Sequence, residues 1–139
     1  MEEQAYAGLV CSAVTYIDAV GGKSHERRIV EEVVLWCMKR FDLYDEVIRV
    51  NVRIKKLRDD AGYCEEVRPP ELTDEGHIYA KYSITVAQNQ MLRDFVMTVV
   101  HEMIHVRQYV SGTWQGDGEA EAWALQERYT DEIWKENIL

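Results

Sequence analysis

Positive charge is scarce in this chain of 139 residues, with 16 Lys and Arg against 25 Asp and Glu and a formal net charge of −9. That balance argues against nucleic acid or an anionic membrane as a partner held by overall charge. Long apolar runs are absent too, and none approaches the ~20 residues needed to span a bilayer. The opening Met1-Glu2-Glu3-Gln4 is acidic and unlike a secretion signal, so a cytoplasmic location is expected. The three cysteines, Cys11, Cys37 and Cys64, are widely spaced and form no C-x-x-C pair. A reducing interior suits them better than a disulfide scaffold. The two prolines are adjacent, and Arg68-Pro69-Pro70 is expected to interrupt regular structure. With no repeat, low-complexity tract or linker, residues 1–139 read as one domain, long enough for a sizeable core.

Apolar periodicity supplies the elements. Ala5, Leu9, Val10, Ala13, Val14 and Ile17 predict a helix over 3–19, ended by Gly21-Gly22. A second helix is expected over 25–41 with Ser24 as N-cap; Arg27 stands where a capping box needs Glu. Alternation of Ile48, Val50, Val52 and Ile54 with Arg49, Asn51, Arg53 and Lys55 predicts a half-buried strand over 46–57. A turn at 59–62, a short strand at 63–67 and a strand at 77–86 follow. Helices are expected at 90–110 and 118–136, the first stopped near Ser111-Gly112. The order α-α-β-β-β-α-α predicts an α+β fold, with helices packed on a small, mainly antiparallel sheet of about three strands.

Within the helix predicted over 90–110 lies His101-Glu102-Met103-Ile104-His105, an H-E-x-x-H sequence. Residues four apart share one helix face, so two imidazoles can reach a single ion while the glutamate between them works on water. A lone histidine bordering the apolar stripe of Val96, Val99, Val100, Met103, Val106 and Val110 would normally be a core residue. A pair at i, i+4 with an acid between is a different pattern.

Catalytic zinc sites usually add a third protein ligand and keep a position open. A short connection from Tyr109 to Gly118 returns the last helix antiparallel to the first, bringing Glu119 and Glu121 near the ion. These two diverge by about 200° on a helix, so only one can face it, and helical geometry does not choose between them.

His101-Glu102-x-x-His105 followed by Glu119-x-Glu121-Ala122-Trp123 resembles the gluzincin pattern of zincin-like metallopeptidases. The stretch Ala61-Gly62-Tyr63-Cys64, together with His101 to Tyr109, resembles small metallopeptidases of phages and prophages. The resemblance covers about residues 46–130. It implies a zincin-like fold, one Zn²⁺ held by His101, His105 and Glu119 (Glu121 as second choice), and Glu102 as general base and acid. It further implies a peptide or protein substrate and residence in the cytoplasm of a producing or infected bacterial cell. Two departures stand out: a short Tyr109–Glu119 segment, and Trp123 where aspartate is common.

Tyr109, Tyr129, His77 and Arg128 are candidate donors to an oxyanion, and the strand at 78–86 is a candidate edge for an extended peptide. Gln108, three residues after His105, could contact the site, although a polar residue on the helix surface is the commoner reading. Competing readings keep the fold without the reaction, as a metal-binding or virion component, or make the motif incidental in a host-takeover protein acting through its acidic surface.

Overall fold

A computed structural model describes residues 16–139. The elements are β1 (Tyr16–Gly21), α1 (Ser24–Arg40), β2 (Val47–Lys55), β3 (Gly62–Leu72), β4 (Ile78–Ala87), α2 (Leu92–Ser111) and α3 (Glu119–Glu136). They form an α+β fold with a four-stranded mixed sheet in the order β1-β2-β4-β3. Residues 3–15 of the expected first helix lie outside the described residues. Tyr16 to Ala19, its expected end, belong instead to a strand that runs parallel to β2. Tyr16, Ile17, Ala19 and Val20 suit a pleated edge as readily as a helix, and short apolar runs do not separate the two.

The sheet also corrects the antiparallel expectation. β2 and β4 are parallel, and only β3 runs antiparallel, against β4. The chain leaves β2, passes to the outer edge as β3, and returns as β4 into the gap between them. Alternation reveals which face of a strand is buried but carries no information about its neighbours, so the fourth strand and the parallel pairings were not in the pattern. Pro69 and Pro70 fall inside β3 rather than ending it. The register shifts at Glu66/Arg68 and Arg68/Glu71 absorb them, as an edge position allows.

One face of the sheet carries the core. Ile48, Val50, Val52 and Ile54 of β2 and Ala80, Tyr82, Ile84 and Val86 of β4 are buried with Val30, Val33 and Val34 of α1 and with Phe95, Val99, Val100 and Met103 of α2. α1 is capped at Lys23, not Ser24, and Glu26 Oε1 accepts the Lys23 backbone N–H at 2.7 Å. Glu26 Oε2 accepts from the Asn89 backbone N–H at 2.9 Å, tying the start of α1 to the β4–α2 loop. α2 is covered on several sides, so that residues 101–106 are all buried. No helix among the described residues is long and apolar enough to cross a membrane.

Candidate metal centre

Three elements build the site. α2 supplies His101 and His105, both buried and turned toward α3. α2 ends at Gly112 in a left-handed conformation (φ 70°), and the chain turns back through 113–118. Gly118 (φ 75°) lies against the site: a Cβ there would come within 2.5 Å of Gln108 Oε1 and 3.2 Å of His105 Nδ1. Only glycine combines this conformation with so close an approach. Asp117 Oδ1 accepts the Glu119 backbone N–H at 3.0 Å, starting α3 with Glu119 in its first turn.

Glu119 then bridges the two rings. Its Oε1 lies 2.9 Å from His101 Nε2 and its Oε2 lies 2.8 Å from His105 Nε2. One ligand atom from each of the three residues falls within 4.8 Å of the others, a group able to hold a metal ion. Glu121 turns to the other side of α3's first turn, where it accepts a hydrogen bond from Gln108 Nε2 at 2.8 Å.

Gln108 fixes the state of His105. Its amide nitrogen donates to the Gly118 carbonyl at 3.0 Å and to Glu121, which leaves its oxygen facing His105 Nδ1 at 2.8 Å. An Nδ1 that faces an acceptor carries the proton, so Nε2 of the neutral ring presents a lone pair. Gln126 Oε1 stands 2.7 Å from His101 Nδ1, and with the amide in that orientation it favours the same tautomer. Two imidazole nitrogens and a carboxylate thus converge on one point. Such a donor set suits a divalent cation.

Glu102 lies one residue from His101, is only 4 % exposed, and is not one of the three converging groups. Its carboxyl has no hydrogen-bond partner among the described residues and lines a cleft of about 830 Å³ beside the three. Burial, then the charge of Glu119, pushes its pKa up to about 8. Gly62, at the start of β3, forms the wall next to it: a Cβ there would sit 2.7 Å from the Thr85 carbonyl and 3.5 Å from Glu102 Oε2.

No family model, curated protein or solved structure matches the chain.

The four candidate oxyanion donors separate in space. Tyr109 lines the cleft, stacked on Trp114 with centroids 4.5 Å apart. Tyr129 is buried between Trp36 and Phe41, its hydroxyl accepting from Arg107 at 3.0 Å. Arg128 faces Glu132 and His77 faces Glu46, neither in the cleft. Trp123 and His101 meet with centroids 5.3 Å apart and ring planes at 70°, and Gln126, one turn further along, makes the polar contact to the imidazole. Gln126 went unnoticed in the sequence because a glutamine seven residues after Glu119 carries no motif. Its only signal is that i+7 on a helix returns to the same face. Gln108, which reads more readily as a surface residue, is instead buried against His105, because its amide is held between that ring, Gly118 and Glu121.

Proposed function

We propose that this protein is a zincin-like, zinc-dependent metallopeptidase of the gluzincin type. The reading rests above all on one observation: Glu119 reaches the Nε2 atoms of both His101 and His105, with the unpartnered Glu102 beside them in an open cleft. A purely structural metal would be expected to draw a fourth protein ligand, and among the described residues three groups converge.

Bound there, zinc supplies the Lewis acidity that polarises a peptide carbonyl and acidifies water. Glu102 is placed to take a proton from the attacking water as the new C–O bond forms. It then returns that proton to the amide nitrogen as the C–N bond breaks, leaving a carboxylate and an amine. Gln108 and Gln126 hold both rings with Nε2 forward. Tyr109, whose phenol burial pushes above its ordinary 10, offers a donor from the cleft wall. β4 is internal to the sheet, so an extended peptide would pair with the edge of β3 that no other strand among the described residues covers, and which begins at the cleft. The substrate is a peptide or protein, in keeping with the resemblance to phage and prophage peptidases.

The test is zinc quantitation on protein purified without chelators, combined with cleavage of a peptide library by wild type and Glu102→Gln. One equivalent of zinc in both and cleavage by wild type alone are expected. Substoichiometric zinc, or undiminished cleavage by the variant, would overturn the reading.

A further inference from the structure

The lining of the cleft narrows the substrate's chemistry; this inference rests on the peptidase reading. None of the 16 Lys and Arg residues lines the cleft. Asp59, Asp60, Asp94 and Asp117 do, in addition to Glu102 and Glu119. They come from three separate places, the β2–β3 connection, the first turn of α2 and the α2–α3 connection, so negative charge surrounds the opening. Asp59, Asp60 and Asp94 have no ion-pair partner among the described residues. A divalent ion in the centre brings two positive charges against the five carboxylates of Glu119 and the four aspartates, so the opening stays negative even with Glu102 neutral. Walls of one sign around a cleft concentrate ligands of the other.

Two further observations point to an occupant. Glu102 is a buried, unpartnered carboxyl aimed into the cleft, which marks it as a place where a ligand's reacting group belongs. Trp114 and Trp123 flank the two histidines, and Trp123 remains 65 % exposed. Indole faces attract ammonium and guanidinium groups, most strongly where carboxylates stand nearby.

We infer that the cleft takes peptides carrying Lys or Arg side chains next to the bond to be cut, held between the rim aspartates and the rings of Trp114 and Trp123. The preference is electrostatic, so it weakens with salt and with neutralisation of the rim.

Zinc-loaded Glu102→Gln protein, which binds without turnover, is titrated by tryptophan fluorescence with three end-blocked decapeptides. These differ only in carrying two Lys, two Met or two Glu residues. The Lys peptide is expected to bind about tenfold more tightly than the Met peptide, and the Glu peptide more weakly still. That advantage should shrink to about threefold or less in a form that also carries Asp59→Asn, Asp60→Asn and Asp94→Asn, and should shrink with added salt in the parent protein. Equal affinity for the Lys and Met peptides, or a preference unmoved by salt and by the aspartate changes, overturns the inference. Wild type is offered the same peptides for cleavage. Charge-selective binding without cleavage supports the cation-selective cleft and overturns the peptidase; cleavage without charge preference does the reverse.

Discussion

Gln108 and His105, three residues apart on α2, meet at 2.8 Å through the amide oxygen and Nδ1, and Glu121 holds the other end of that amide at 2.8 Å. The contact is a chain from a carboxylate through a neutral amide to a ring. Gln108→Leu removes the acceptor and frees the ring to rotate and to change tautomer. Zinc affinity should fall by about 10- to 100-fold, measured by competition with a chromophoric chelator. Glu121→Ala leaves the amide oxygen in place and should lose less.

On the other ring the orienting group, Gln126, is neutral as well. A carboxylate in its place would accept the Nδ1 proton more strongly and make Nε2 a better donor. Gln126→Glu should therefore bind zinc more tightly than wild type, and Gln126→Leu more weakly, in the same competition assay. Equal affinities in all three proteins would remove Gln126 from any positioning role.

Glu102→Gln should lower turnover by a factor of about 10² to 10⁴, the range expected for loss of a positioned general base. In chelator-treated protein the same change has a second consequence. The folded pKa, raised to about 8, lies above the ordinary value of 4.5, so ionisation of Glu102 opposes folding. That cost is absent below pH 4.5, grows as pH rises, and is complete above pH 8. The metal-free variant should match wild type in urea at pH 4 and exceed it at pH 9.

Gly118→Ala forces a Cβ to within 2.5 Å of Gln108 Oε1 at a left-handed φ of 75°. The strain should cost about 1–3 kcal/mol in urea unfolding. It should also weaken zinc binding, because the displaced group is the amide that orients His105.

Glu26 responds to pH in the opposite sense to Glu102. Burial pushes its carboxyl up, but the backbone N–H groups of Asn89 and Lys23, with the charges of His25 and Lys23, bring it below the ordinary 4.5. Its contribution to stability is present above that value and is lost as pH falls through the lower folded pKa. Glu26→Gln should be less stable than wild type at pH 7, and the gap should close on acidification; a gap that stays constant would discount the carboxylate's role.

Much of the centre was readable before the fold. The helical spacing of His101 and His105, and the divergence of Glu119 from Glu121, follow from 3.6 residues per turn, a local property. The limits of α1, α2 and α3 came within about two residues for the same reason, with Gly112 and Gly118 marking the reversal. What was not readable depends on contacts between distant segments. β3 on the outside, β4 in the middle and β1 parallel to β2 are choices of neighbour that alternation does not encode. Glu26 stands three residues after Lys23, the N-cap the structure shows, whereas Ser24 is the residue whose side chain marks it as a cap in the sequence.

Pro69 and Pro70 have a consequence for how copies of this chain behave toward one another. Lacking backbone donors and flanked by shifts of register, they leave the far half of β3 a poor template for another strand. The stretch from Gly62 to Glu66, regular in its pairing with β4, is the part of that rim still fit to recruit one, and it opens beside the cleft. The far half of β3 is thereby guarded against stacking into fibres, while a short berth of about five residues remains beside the cleft, where the proposed peptide would pair.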